Sequence, residues 1–89
     1  MTGAKPKSDD VEKAILDLCA ARGPAKTICP SEAAKACAQA AGAADDWREW
    51  MSLVQAVARR MAAEGQIEIR QSGRVVGEGA VGPIRLGLP

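Results

Sequence analysis

Between residues 45 and 65 apolar side chains return at helical spacing. Trp47, Trp50, Met51, Val54, Val57, Ala58 and Met61 fall on one side of about four turns. The spacing predicts one long helix, capped by Asp45 or Asp46 and stopped at Gly65. Past the glycine the period drops to two. Gln66-Ile67-Glu68-Ile69-Arg70 alternates polar and apolar, which predicts a half-buried strand over 66–71, and Ser72-Gly73 is a turn signal. Upstream, Val11, Ala14, Ile15, Leu18 and Cys19 form the stripe of a first helix. Ser8, Asp9 and Asp10 open it, and Arg22-Gly23-Pro24 closes it. A short strand is expected over 26–29. Ser31 then caps a second helix, with Glu32 in its first turn and a small-residue face of Ala33, Ala34, Cys37, Ala38 and Ala41 ending at Gly42. Ile84, Leu86 and Leu88 alternate over 83–88. That last segment is expected to pair antiparallel with 66–71, leaving 72–82 as a wing. The main alternative is a tight hairpin closed at Ser72-Gly73, with Val75-Val76 as its second arm.

The order of helix, short strand, helix, helix, strand, wing and strand is that of a winged helix-turn-helix. The expected fold class is therefore α+β, with three helices and a small antiparallel sheet of two or three strands. Residues 1–8 are expected to form a flexible tail, and 9–89 the domain. At 89 residues the chain holds one domain. About a fifth of it is alanine, and its aromatics are two tryptophans, so the core is thin. Lys plus Arg, 12, nearly balances Asp plus Glu, 11. A net charge of +1 gives no support to nucleic-acid binding, so any such support must come from where the charges stand.

Three cysteines at wide spacing, with no histidine and no CxxC, fit neither a disulfide framework nor a zinc site. They read as reduced thiols of a cytoplasmic protein. Lys5 and Lys7 are not followed by the apolar run of a signal peptide, and no stretch has the length of a membrane span. No cofactor, metal or membrane partner is expected.

Several short strings are more specific than periodicity. Gly23-Pro24, Thr27-Ile28-Cys29-Pro30-Ser31-Glu32, Trp47-Arg48, Gly65-Gln66-Ile67-Glu68-Ile69 and Gly82-Pro83-Ile84-Arg85-Leu86 resemble a family of short bacterial proteins. That family is classed as a domain of unknown function. The resemblance covers nearly the whole chain from about Val11 to Leu88, and implies a winged-helix-like fold with no established activity. Members of the family often carry a basic residue near Gln55 and another after Leu86, where this chain has Gly87. Both departures weigh against nucleic-acid binding here.

Opposite the apolar stripe, Arg48, Ser52, Gln55 and Arg59 follow a spacing of four, three and four, so they share one face of the third helix. Arg and Gln are able to read guanine and adenine edges in the major groove, and Ser to contact phosphate. Arg70 and Arg74, around the Ser72-Gly73 turn, would clamp the backbone of double-stranded DNA. Against this stand Asp45, Asp46 and Glu49 at the N-terminal end of the helix, and Glu68 and Glu78 beside the wing. The competing account is a solvated helix face on a protein-interaction module, paired with another protein or a second copy through its Ala-rich surface or Trp50. Trp47 is expected in the core and Trp50 at its edge. An enzyme is disfavoured, since no histidine is present and both Asp pairs fall at helix starts. Cys29, before Pro30, reads as a packed thiol with no base partner in view.

Overall fold

The structure is a computed structural model that describes residues 8–77 and 79–89. The expected tail therefore lies outside the described residues, apart from Ser8, which opens the first helix. Helix α1 spans Ser8–Arg22, strand β1 Thr27–Ile28 and helix α2 Pro30–Ala40. A 3-10 segment, Ala44–Trp50, leads into helix α3, Met51–Ala63. Strands β2 (Glu68–Gln71), β3 (Arg74–Val76) and β4 (Arg85–Gly87) follow. The result is an α+β domain in which α1 and α3 pack on one face of an antiparallel sheet ordered β1-β4-β2-β3, and α2 packs against both helices.

The helix ends follow from local chemistry. Asp9 and Asp10 sit in the first turn of α1, where the dipole favours negative charge. α3 closes with the Gly65 N–H on the Ala62 carbonyl at 3.1 Å and the Gln66 N–H on the Met61 carbonyl at 2.9 Å. This is the paired closure that needs a left-handed residue, and Gly65 supplies it at φ 80°. α2 ends in the same bonding pattern, with Ala43 on Ala38 and Gly42 on Gln39.

Two expectations about caps are corrected. The residue before α2 is Cys29, extended at φ −87° and ψ 143°, and Pro30 and Ser31 are already helical. Proline suits that first helical position because it has no N–H to leave unbonded. Glu32 reaches back to accept the Cys29 N–H at 2.8 Å, so the cap is closed by the glutamate and not by the serine. The predicted long helix is also two pieces. Asp45 and Asp46 lie inside the 3-10 segment, where Asp46 leaves helical geometry, and neither caps α3.

That break changes the tryptophans. Helical phase does not run unaltered from α3 back through a 3-10 turn. Trp50 is the buried ring, at 5% exposure, among Val54, Val57, Ala58 and Met61. Trp47 is only half-buried, against the flank of α2, where Lys35 lies 4.8 Å from its ring centre and Arg48 4.4 Å. The sequence pattern placed Trp47 in the core and Trp50 at its edge, with core packing the favoured reading of both; Trp50 is buried as favoured, and it is Trp47 that lies at the edge.

In the sheet, β2 pairs with both neighbours. Ile69 stands opposite Val76 on β3 and Leu86 on β4, so the pairing with the last segment and the Ser72-Gly73 hairpin both occur. Positive φ at Ser72 (51°) and Gly73 (80°) gives the backbone twist a two-residue hairpin needs. The sheet consequently has four strands, with 77–84 as the excursion between β3 and β4. Ile28, Ile69 and Leu86 point into the core against Val11, Ile15, Cys19, Ala33, Ala34 and Met61. Thr27, Arg70 and Arg85 point the other way.

Candidate functional site

α3 turns Val54, Val57, Ala58 and Met61 inward, which leaves Ser52, Gln55 and Arg59 on its outer side. Ser52 is exposed and Gln55 half-buried, and neither side chain has a hydrogen bond to the described residues. Arg59 is committed: its Nη1 donates to the Ala80 carbonyl at 2.8 Å and so fastens the 77–84 excursion to the helix. Gln71 holds the same loop from the sheet side, donating to the carbonyls of Val81 (2.7 Å) and Pro83 (3.1 Å). Arg48 belongs to the 3-10 segment, exposed but stacked on Trp47. The acids Asp45, Asp46 and Glu49 are exposed beside it.

The two arginines expected at the wing differ sharply. Arg74 is exposed at the start of β3, and its side chain makes no hydrogen bond or ion pair with the described residues. Arg70 is held flat across the outer face of the sheet. Its Nη2 donates to Glu68 at 2.8 Å and to the Leu88 carbonyl at 2.9 Å, and its Nε to Glu68 at 3.2 Å. The guanidinium passes over Gly87, where an added Cβ would stand 3.1 Å from Cζ. The bare backbone of Gly87 thus leaves room for Arg70.

The sequence reading missed a second concentration of charge on that outer face. Arg22, Lys26, Thr27, Arg70 and Arg85 line one concavity, closed at its edge by Gly73. Thr27 is its hub. Its carbonyl accepts from Arg22 Nη1 at 3.0 Å and Arg85 Nη2 at 3.2 Å, and its hydroxyl accepts from Arg85 Nε at 2.9 Å. Arg22 also pairs with Glu32, which ties the C-terminal end of α1 to the first turn of α2. The signal was present in the sequence: the Thr27–Glu32 and Gly82–Leu86 strings, separate in the chain, meet here.

The thiols are all free. Burial raises the pKa of Cys19 and Cys37, whose sulfurs approach the carbonyls of Leu86 (3.8 Å) and Asp10 (3.9 Å). Cys29 is half-buried, and its pKa is lowered, first by hydrogen bonding from the Ser31 side chain and to a smaller degree by Arg85. Among the described residues no group of three His, Cys, Asp or Glu is placed to hold a metal ion. No helix among them is long and apolar enough to cross a membrane.

These elements define a small α+β domain with an outward polar face on its third helix and a cationic outer sheet face. The chain belongs to the family described as "Protein of unknown function (DUF3253)", whose model matches residues 8–89. No curated protein matches the chain.

Proposed function

We propose that this protein is a bacterial, cytoplasmic winged-helix module that binds duplex DNA and catalyses no reaction. α3 enters the major groove, and the β2–β3 hairpin and the loop after it lie along the phosphates. The observation that carries the reading is the outward stripe of Ser52, Gln55 and Arg59 on α3, opposite its buried face. The alternation of β1, β4 and β2 in the sheet, with the hairpin as an excursion beyond them, supports the winged-helix assignment. Arg48 and Arg59 position, Ser52 and Gln55 face base edges or phosphate, and Arg74 supplies a cation at the wing that is unpaired among the described residues. Arg70 acts by holding the sheet.

A second reading rests on a different surface. Ala14, Leu18, Cys37, Ala41 and Trp50 line an open, largely apolar groove between α1 and α2, rimmed by Asp10, Lys13 and Asp17. With a net charge of only +1, a protein-interaction module using that groove is the competing role.

Fluorescence anisotropy of labelled random duplex DNA across a salt series separates them. Electrostatic binding weakens with a log–log slope of about −0.9 per phosphate neutralised, so a slope of roughly −3 or steeper is expected. Absence of binding at low salt would transfer the assignment to the interaction module.

A further inference from the structure

The concavity on the outer sheet face has a composition that neither reading uses. Its cations come from four places in the fold: Arg22 from the last turn of α1, Lys26 from the loop before β1, Arg70 from β2 and Arg85 from β4. Among the described residues, Glu32 and Glu68 pair with members of this group, and both are taken. Glu32 is bound by Arg22 and by the Cys29 N–H, and Glu68 by Arg70. Lys26 and Arg85 have no ion pair among the described residues, in a chain whose formal net charge is +1. Positive charge is therefore concentrated here beyond what the whole molecule carries.

The donors are also fixed in advance. Arg85 is anchored through Nε and Nη2 on Thr27, which orients the guanidinium plane and leaves Nη1 uncommitted. Arg22 spends its two terminal nitrogens on Thr27 and Glu32. Lys26 is exposed at the rim, its ammonium without a hydrogen bond to the described residues. Anchored guanidinium and ammonium donors converging on a hollow suit an anion with several strong acceptor oxygens. A phosphoryl group offers those oxygens, together with enough charge to balance Lys26 and Arg85.

We propose that this concavity binds a phosphoryl group, carried either by a small phosphorylated molecule or by a nucleic-acid backbone. Lys26 and Arg85 make the direct contacts, and Thr27 and Arg22 position Arg85 and the floor. The site shares Arg70 and Gly73 with the hairpin assigned to DNA, but its two direct contacts, Lys26 and Arg85, lie outside that surface, so either assignment is able to fail while the other stands.

The test is a pyrophosphate titration followed by backbone amide NMR on the full chain, with ionic strength held constant by chloride. Saturable shifts confined to 26–28, 70–73 and 85–87 are expected, while Ser52 and Gln55 stay in place. Lys26→Ala removes an exposed side chain with no bond to the described residues, and it weakens binding by about tenfold. Arg85→Lys keeps the charge but loses the fork, with a weakening of similar size. Non-saturable shifts, or unchanged affinity in a folded Lys26→Ala protein, overturn the proposal. Duplex DNA added to the pyrophosphate-bound protein identifies the source. Displacement of pyrophosphate from 26–28 and 85–87 assigns the site to a nucleic-acid backbone, and its retention assigns it to a small phosphorylated molecule. Movement of Ser52 and Gln55 on adding DNA reports separately on the α3 surface.

Discussion

Cys29 differs from the other two thiols in each property that sets reactivity. Cys19 and Cys37 are buried and their thiolates are disfavoured, because desolvation penalises the charged form. Cys29 has solvent on one side, and hydrogen bonding from Ser31 favours its thiolate. Iodoacetamide near neutral pH is expected to alkylate Cys29 first, with Cys19 and Cys37 reacting only on unfolding. Peptide mapping of the singly modified protein checks the order, and a first adduct on Cys19 or Cys37 would contradict it. Three residues on, Glu32 joins the cap of α2 to Arg22. The Cys29 N–H, and then Arg22, hold its carboxyl below the usual value of 4.5. A native pKa below the unfolded one means that ionised Glu32 stabilises the fold above pH 4.5, and that this is lost as pH falls through the lowered native value. Glu32→Gln keeps an acceptor for the Cys29 N–H but loses the charge and the ion pair with Arg22, and is therefore expected to lose about 0.5–1 kcal/mol at pH 7. Urea midpoints of the two proteins should converge as pH falls through the lowered native value. A difference that persists unchanged in acid would show that the carboxylate charge is not what matters.

At the scale of elements, the parts legible in the sequence were those with strictly local causes. The stripe of Val11, Ile15 and Cys19 gave α1, Gly42 and Gly65 marked two helix ends, and the alternation around Ile69 gave β2. The parts that misled were those in which one local signal served two outcomes. Ser31 has a capping side chain, but Pro30 before it favours the first helical position and moves the cap to Cys29. The two pairings considered for β2 looked exclusive in one dimension, yet a strand has two edges and both are filled. The order of burial of the tryptophans was misjudged because residues 44–50 wind as a 3-10 turn, which resets their phase relative to Met51 onward. That order has a measurable consequence. Trp50→Ala opens a cavity in the core and is expected to cost about 3–5 kcal/mol. Trp47→Ala loses a half-exposed ring stacked by Lys35 and Arg48, and is expected to cost about 1–2 kcal/mol. Equal denaturant midpoints for the two variants would restore the assignment of Trp47 to the core.

For the molecule as a whole, a near-neutral charge makes placement decide function, and placement is what the sequence conveyed least. The outward placement of Ser52, Gln55 and Arg59 was legible because helical spacing links them within α3, whereas Arg48 falls in the 3-10 segment and out of that phase. The outer-face cluster was not, since Thr27 and Arg85 touch across 58 residues of chain. The same limit applies to Arg70 and Arg74, which as neighbours of one turn looked equivalent. Arg70 is only 17% exposed and spans from Glu68 to the carbonyl of Leu88, crossing the bare backbone at Gly87. Arg74 projects from the hairpin without a side-chain bond to the described residues. Arg70→Ala is therefore expected to destabilise the protein by about 1.5–3 kcal/mol through lost charge-assisted hydrogen bonds. Arg74→Ala should stay within about 0.5 kcal/mol of the parent, as surface changes away from special contacts do. If the wing lies on DNA, Arg74→Ala should also make the salt slope of duplex binding shallower by about one. The two measurements are independent, so each arginine is tested in its own role. An Arg74→Ala protein of parental stability and unchanged salt slope would remove the hairpin from the DNA surface, and leave α3 to account for any binding.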